Sequence, residues 1–202
     1  MIAIIDSGVG NVQSIANALA FLKVPHKITT DPNVLEKAEK LIFPGQGTFC
    51  DGMKAIKSGK LLDTLAEQVL NQHKLYLGIC LGLQLLANTG LEDEEYVGLG
   101  WIPGIVRKVN TSEKLPHIGW NNVSPKTTNG LFSGLSDNPT FYFAHSYIID
   151  PKDALVTTAT CEYGERFVAS IQYKNIYGGQ FHPEKSQKNG LQLLRNFVNI
   201  KT

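Results

Sequence analysis

The sequence predicts an α/β fold with a mostly parallel central sheet, flanked by helices and extended by antiparallel strands in its second half. Buried strand candidates alternate with helix candidates through the first half, which is typical of parallel strands covered on both faces. Short strands with turn signals dominate residues 97–181 and favour antiparallel pairing. Helical periodicity returns at residues 188–200 and provides a closing helix.

The individual elements follow from apolar patterning. Apolar runs predict buried strands at residues 2–6, 40–45 and 74–80, and "HKITT", residues 26–30, is a further short strand. Apolar residues at helical spacing predict helices at residues 12–22, 59–72 and 81–90. The later strands lie in the stretches "GIVRKV", "PTFYFAHSYII", "ALVTTAT", "FVASIQY" and "NIYGGQF".

Length and composition indicate one globular domain, residues 1–202, in a cytoplasmic protein. The net charge of +1 gives no field that would favour nucleic acid or an anionic membrane surface. Apolar runs fall short of a bilayer span, and the start "MIAIIDSGVG" lacks the basic region of a signal peptide. The odd number of cysteines without metal-type spacing favours free thiols and no metal site, and Cys50 and Cys161 are assigned no role.

The stretch "KLYLGICLGLQLL", residues 74–86, places Cys80 between Gly78 and Gly82. A predicted strand meets a predicted helix there, and the spacing is that of a nucleophile elbow. Such a turn forces the nucleophile into a sparsely populated backbone conformation, so glycines two residues to either side avoid a collision with it. The start of the helix also favours the thiolate. For so short a pattern, a buried structural cysteine beside two chance glycines is an equal alternative.

Among the five histidines, His182 is the best candidate for a base that serves Cys80. It follows "YGGQF" at the end of a predicted strand, and Pro183 stiffens its connection to Glu184. The carboxylate can then orient the imidazole, as in a cysteine–histidine–carboxylate triad. Alone, "HPE" fits an ordinary surface histidine, whereas together with the elbow it favours catalysis.

An acyl-transfer site also needs backbone N–H groups aimed at the negative charge that develops on the substrate oxygen. The loop "FPGQGTF", residues 43–49, ends another buried strand, and its glycines allow close approach of the backbone to a substrate. Gly47 and Leu81, the latter directly after the elbow cysteine, are the candidate donors. By itself the loop could equally be an ordinary tight turn.

In this order, "FPGQGTF", "LGICLGLQLL" and "QFHPEKSQ" resemble the class I (triad) glutamine amidotransferases over nearly the whole chain. The resemblance implies that Cys80 attacks the carboxamide of glutamine, that ammonia leaves a glutamyl thioester, and that water releases glutamate. It implies that His182 is the general base and acid and that Glu184 orients it. No cofactor is expected, because "GVGN" after the first strand lacks the third glycine of a dinucleotide-binding loop.

The same resemblance assigns residues to the binding of glutamine. Gln84, one helical turn after the cysteine, would contact the substrate. Glu92 matches a position that binds its amino group, and Ser146 and Tyr147 match the strand that holds its carboxylate end. Gln84 could instead be a solvated helix residue, and Glu92 could belong to a solvated acidic loop at residues 92–95.

The stretches "DSGVGN", "LPHIGWN", "FYFAHSY" and "HPEKSQ" are similar to those of the glutaminase subunits of imidazole glycerol phosphate synthase, an enzyme of histidine biosynthesis. This implies a heterodimer with a (β/α)8-barrel cyclase subunit that receives the ammonia, and the chain is too short to contain that barrel. It places Asn11, residues 117–121 and His145 near the interface or the glutamine site. Trp120 suits an interface anchor, with a core aromatic as the alternative.

Two residues depart from the pattern of the family. Ser7 replaces an aromatic or aliphatic residue, and Gln46 replaces a small aliphatic one in the loop that is thought to reorient when the synthase binds its ligand. Because ammonia made without an acceptor is wasted, we expect low activity of the isolated chain and strong activation in the complex. Gln46 could alter how tightly the resting activity is suppressed.

Two other functions stay open at this point. A paralogous glutaminase subunit that supplies ammonia for sugar amidation in surface polysaccharide synthesis would carry similar motifs. A non-catalytic regulatory subunit could share the fold, since a fold does not fix a function. The presence of all three triad residues disfavours the second alternative.

Overall fold

Within residues 1–8, 10–57, 61–92 and 94–201, which the computed structural model describes, strands form one nine-stranded and one four-stranded sheet. In chain order the strands are β1 (Ile2–Ile5), β2 (His26–Thr29), β3 (Lys40–Gly45), β4 (Leu75–Cys80), β5 (Ala87–Gly90), β6 (Tyr96–Val97), β7 (Ile102–Lys108), β8 (His117–Pro125), β9 (Thr140–His145), β10 (Tyr147–Pro151), β11 (Thr157–Tyr163), β12 (Glu165–Tyr173) and β13 (Ile176–Gly179).

Helices lie between and after these strands. They are α1 (Val12–Phe21), α2 (Pro32–Lys37), α3 (Phe49–Lys57), α4 (Leu61–Ala66), α5 (Leu81–Gln84) and α6 (Gln187–Asn199). A π-helical turn, Glu67–Asn71, continues α4, and short 3-10 turns lie at Gly130–Phe132, Ala154–Val156 and Pro183–Lys185. No helix among the described residues is long and apolar enough to cross a membrane.

The larger sheet has the strand order β2-β1-β3-β4-β13-β12-β11-β8-β9. Pairing is parallel from β2 to β13 and antiparallel from β13 to β9. The smaller sheet has the order β10-β7-β5-β6. The predicted fold class, an α/β domain with a large sheet flanked by helices and antiparallel strands in the second half, is confirmed.

The parallel strands are apolar along their whole length because both of their faces are covered. Every residue of β1, β3 and β4 is buried. One hydrophobic cluster joins one face of these strands to α1 and α6, through residues such as Ile4, Leu19, Leu77 and Phe197. A second joins the other face to α3 and α4, through residues such as Ile5, Phe43, Met53 and Leu65. Each such side chain stabilises the fold by roughly 1.5–3 kcal/mol relative to exposure.

The predicted helix at residues 81–90 is wrong beyond its first turn. Helix α5 ends at Gln84, and Ala87–Gly90 form β5, which pairs in parallel with β7. The backbone N–H of Ile102 donates to the carbonyl of Leu86 at 2.9 Å. Long-range pairing therefore overrides the helical spacing of the leucines, a competition that local sequence does not reveal.

Other differences concern helix positions. Helices α2 and α3 are not among the predicted elements. The helix predicted at residues 59–72 is formed by α4 and the π-helical turn, and residues 59 and 60 lie outside the described residues. Asp93 of the predicted acidic loop and Val9 of "DSGVGN" also lie outside them.

Candidate active site

The turn from β4 to α5 carries Cys80 in a strained conformation. Its φ is 54° and its ψ is −109°, values that residues other than glycine rarely adopt. A Cβ atom on Gly78 would lie 2.4 Å from the carbonyl oxygen of Gly82, and one on Gly82 would lie 2.0 Å from that of Phe43. The glycines are thus required by backbone packing around the turn rather than by a collision with the nucleophile itself.

The helix that follows the cysteine is shorter than the sequence predicted. Because α5 has four residues, its macrodipole is small. The N–H groups of a first helical turn have no intrahelical acceptor, however, so they remain suited to binding a negative charge. Any stabilisation of a thiolate here comes from individual donors around the sulfur rather than from a long helix.

His182 and Glu184 form a buried hydrogen-bonded pair. The Nδ1 of His182 lies 2.8 Å from Oε1 of Glu184, and both side chains are 2% exposed. Because an ionised carboxylate only accepts, Nδ1 carries the proton. The segment is held by backbone contacts: the N–H of His182 donates to the carbonyl of Tyr142 at 2.8 Å, and the hydroxyl of Ser186 donates to that of His182 at 2.6 Å.

The second ring nitrogen of His182 is the one that remains for a reacting group. Its Nε2 is buried and has no hydrogen-bond partner within the part of the chain that the structure describes. Burial lowers the pKa of His182, but interactions with Cys80 and Glu184 outweigh it and raise that pKa to about 10. His182 therefore holds a proton at neutral pH on a nitrogen that a reacting group can use.

A pocket of about 270 Å³ opens beside the cysteine. Its lining brings all the predicted glutamine-binding residues next to Cys80. The lining residues are Gln46, Gly47, Cys80, Leu81, Gln84, Glu92, Pro116, Ala144, His145, Ser146 and Tyr147. The residues predicted from separate parts of the sequence thus meet at one cavity.

The loop with Gly47 lies next to the elbow because of strand register. Strands β3 and β4 are parallel neighbours, and Gly45 is paired with Cys80 at their carboxyl ends. A Cβ atom on Gly45 would lie 2.8 Å from the Cβ of Leu81, so the two segments touch. Gly47 has a φ of 105°, a conformation suited to glycine, and no other described atom would lie within 4 Å of a Cβ placed there.

The comparisons with known proteins agree with this geometry. The family model described as glutamine amidotransferase class-I matches residues 3–200. The chain belongs to this family. The resemblance stated from the motifs is confirmed.

Individual relatives of this amidotransferase are similar over their full lengths. An imidazole glycerol phosphate synthase subunit HisH 1 of Methanococcus maripaludis is 45% identical over 203 residues, with 99% of this chain and 100% of the relative covered. A subunit HisH 2 of Pseudomonas aeruginosa is 43% identical over 204 residues, with the same coverage. A solved structure of PurLQS from Thermotoga maritima shares the fold at a TM-score of 0.75 and 17% identity, covering 98% of this chain and 97% of the other.

Gln84 of the amidotransferase is buried rather than solvated. Its Nε2 donates to the carbonyl of Tyr147 at 2.8 Å and to Oε1 of Gln180 at 3.1 Å. Both amide protons are thereby used, so only its Oε1 can contact a bound glutamine. Glu92 accepts a hydrogen bond from the backbone N–H of Phe49 at 2.8 Å, which fastens the start of α3 beside the pocket.

The "QFHPE" stretch contributes a further residue that sequence reasoning missed. Gln180 is fully buried, and its Nε2 lies 3.6 Å from Sγ of Cys80. The carbonyl of Ala144 lies 4.0 Å from the same sulfur. The available signal was the spacing of two residues between Gln180 and His182, which places both on one face of an extended segment.

Two histidines form a hydrogen-bonded chain that begins at the pocket wall, where His145 lies. His145 Nδ1 lies 3.0 Å from the carbonyl of Tyr147, its Nε2 lies 3.1 Å from Nδ1 of His117, and Nε2 of His117 lies 3.3 Å from Nδ2 of Asn121. Since a carbonyl only accepts, both rings carry their proton on Nδ1. Burial lowers the pKa of His117 to about 4 and that of His145 to about 3, so both are neutral.

The two residues that depart from the family pattern follow the neighbouring parallel strands β1 and β3. Gln46 lines the pocket itself. Ser7 follows β1, and its hydroxyl is buried without a hydrogen-bond partner among the described residues. Nothing in the structure explains why this chain has serine there.

Proposed function

We propose that this chain is the glutaminase subunit of an imidazole glycerol phosphate synthase. It hydrolyses glutamine to glutamate and passes ammonia to a (β/α)8-barrel cyclase subunit. The observation that carries the proposal is the pocket that brings Cys80 together with all six predicted glutamine-binding residues. The buried hydrogen bond between His182 and Glu184 supports it. The synthase assignment is supported by relatives of that name, 43% and 45% identical over 99% of the chain.

Acylation uses the proton that His182 holds at neutral pH. The Cys80 thiolate attacks the carboxamide carbon of glutamine, and a carbon–sulfur bond forms as the carbonyl oxygen becomes negatively charged. His182 then gives the proton on Nε2, which the described residues leave unbonded, to the departing nitrogen. The carbon–nitrogen bond breaks, ammonia leaves, and a glutamyl thioester and a neutral imidazole remain.

Deacylation reverses the role of the imidazole. Neutral His182 takes a proton from water while the hydroxide adds to the thioester carbon. Collapse of the second tetrahedral intermediate breaks the carbon–sulfur bond and restores the thiolate beside the protonated ring, and the new carboxyl group gives its proton to solvent as glutamate leaves. Glu184 keeps Nδ1 protonated throughout, so Nε2 is the atom that exchanges the proton in both steps.

The surrounding residues bind the substrate and its developing charge. The N–H groups of Gly47 and Leu81 are assigned to the oxyanion, because their segments touch at the carboxyl ends of β3 and β4. Glu92 is assigned to the amino group of glutamine by charge. Ser146 and Tyr147 are assigned to its carboxylate end, and the Oε1 of Gln84 to its remaining polar contacts.

The exposed face of β8 is the surface that we assign to the cyclase subunit. Ile118 and Trp120 project from this strand and are 62% and 48% exposed, while His117 at the start of the strand is buried. The Trp120 ring makes an edge contact with Tyr142 of the neighbouring strand at 6.0 Å between centroids. Exposed aromatic residues that are already held by a neighbour lose little entropy on binding, which is typical of interface anchors.

Glutamate release from glutamine tests the proposal. The purified chain is assayed alone, with a candidate barrel subunit, and with that subunit plus its ribulosyl ligand. We expect low release alone, strong stimulation in the ligand-bound complex, and no release from Cys80→Ala under any condition. Cys50→Ala, which changes a cysteine outside the pocket, is the matched control and keeps full activity.

Two other outcomes would redirect the assignment. Hydrolysis that depends on Cys80 but is not stimulated by the histidine-pathway barrel would overturn the synthase assignment and favour the paralogue that supplies sugar amidation. Absence of hydrolysis in every complex, in a chain that binds a barrel subunit, would overturn the enzymatic function and favour a regulatory subunit.

A further inference from the structure

The sulfur of Cys80 is contacted by a buried side chain outside the triad. Gln180 is fully buried, and its Nε2 lies 3.6 Å from Sγ, within the range of hydrogen bonds to sulfur. Gln180 directly follows β13, which pairs in parallel with β4. Gln180 and Cys80 therefore lie side by side at the carboxyl ends of two neighbouring strands. The amide is thus held in position by the central sheet.

The surrounding hydrogen bonds determine which end of the Gln180 amide faces the sulfur. The carbonyl of Tyr147 can only accept, so the group that Gln84 directs at it, at 2.8 Å, is its Nε2. The same Nε2 lies 3.1 Å from the side-chain amide of Gln180. Because this Nε2 is a donor, the Gln180 atom that faces it is the acceptor Oε1. The Nε2 of Gln180 is then left for Cys80, because the opposite orientation would set two donors against each other.

We propose that Gln180 is a catalytic residue, the hydrogen-bond donor that stabilises the Cys80 thiolate, and that Gln84 positions it. A donor that contacts the charged form of a group favours that form. The neighbouring carbonyl of Ala144, 4.0 Å from Sγ, has the opposite effect on a thiolate, so the amide offsets it. The inference rests on the proposed glutaminase function for its consequence in turnover, but not for the contact itself.

In the reaction, Gln180 acts twice on the same atom. Before acylation it stabilises the attacking thiolate, and when the thioester collapses it stabilises the sulfur that leaves. It exchanges no proton, since the side-chain amide does not titrate at accessible pH. Its contribution is therefore a fixed dipole at the sulfur, in addition to the two donors assigned to the oxyanion.

Alkylation of Cys80 by iodoacetamide across a pH series tests the contact without glutamine or a partner subunit. Modification is quantified by mass spectrometry of the peptide that contains Cys80, so that Cys50 and Cys161 do not contribute. The variant Gln180→Met keeps the length of the side chain and removes the donor. We expect the pH midpoint of alkylation to rise by about one unit, and kcat for glutamine to fall roughly tenfold with little change in KM.

Two further variants separate the contact from general disturbance of the fold. Gln84→Met removes the donor that orients Gln180, so the midpoint should rise by a smaller amount. Gln172→Met, an exposed residue of β12, is the matched control and should leave the midpoint unchanged. Thermal melts identify variants that do not fold. If Gln180→Met does not fold, the pH midpoint of Gln84→Met is compared with that of the parent, and equal midpoints would overturn the inference.

The outcomes distinguish this inference from the proposed function. A midpoint in folded Gln180→Met equal to that of the parent would overturn the role of Gln180, whatever the parent does with glutamine. If Gln180→Met raises the midpoint but the parent chain never hydrolyses glutamine, the contact is supported and the proposed glutaminase function is not. An equal shift in Gln172→Met would show a general effect of the substitution and would also overturn the inference.

Discussion

The Nδ1 of His182 and the Oε1 of Glu184 lie 2.8 Å apart, in side chains that are each 2% exposed. With water excluded, a charge-assisted hydrogen bond of this kind is stronger than one at the surface. It fixes the tautomer of the ring and leaves Nε2 for exchange with a reacting group. The pair therefore sets both the orientation of the imidazole and its protonation.

Replacement of Glu184 by Gln tests this relationship. We expect kcat for glutamine hydrolysis to fall by about a hundredfold or more with a small change in KM, because the ring loses the partner that orients it and favours its protonated form. Steady-state glutamate release by the activated complex is the measurement. Glu162→Gln, at an exposed carboxylate paired with Arg166, is the control and should match the parent. Equal kcat values for Glu184→Gln and the parent would contradict the role.

The glycines of the elbow give a prediction about stability. A Cβ on Gly82 would lie 2.0 Å from the carbonyl of Phe43, a contact that no side-chain rotation relieves. We expect Gly82→Ala to lower the free energy of unfolding by ~3 kcal/mol or more. At Gly47, where the described atoms leave space for a Cβ, Gly47→Ala should cost only the backbone strain of about 1–2 kcal/mol. Urea unfolding measures both, and equal losses would refute the steric account.

Much of this site could be predicted because its chemistry depends on short contiguous patterns. Gly78 reflects a contact within the turn itself, with the carbonyl of Gly82, and "HPE" places His182 and Glu184 within reach of one another. Strand β4 could likewise be predicted, since a strand buried on both faces is apolar at every position. Local patterns of this kind need no knowledge of the distant chain.

The features that could not be predicted depend on distant pairing. The leucines after Cys80 have helical spacing, but Ala87–Gly90 join a second sheet because β7 is available beside them. The contact of Gln180 with the sulfur requires β13 to insert next to β4, although the two strands are far apart in sequence. The sequence shows which residues are polar, whereas the sheet order decides which of them meet.

The exposed face of β8 gives a prediction about the partner subunit. If Trp120 anchors the interface, Trp120→Ala should weaken binding of the barrel subunit by about 2 kcal/mol or more, roughly thirtyfold in Kd. Because its side chain is 48% exposed, the unfolding free energy of the isolated chain should change little. Isothermal titration calorimetry and urea unfolding are the measurements. Leu155→Ala, at a residue that is 89% exposed, is the matched control, and equal Kd values for the two variants would rule out this interface.

The pKa of His182 gives a prediction about stability and pH. Interactions with Cys80 and Glu184 raise this pKa from 6.5 to about 10 in the folded chain. Between those pH values the folded ring holds a proton that the unfolded ring has lost, so its stabilising contribution is complete below 6.5 and lost as the pH rises through about 10. The unfolding free energy of the parent, measured in urea, should fall relative to that of His182→Asn across this window. The quantity to follow is the unfolding free energy of the parent minus that of the variant, because this subtraction cancels the titration of shared lysines and tyrosines. If that quantity stays constant or grows as the pH rises, the raised pKa is contradicted.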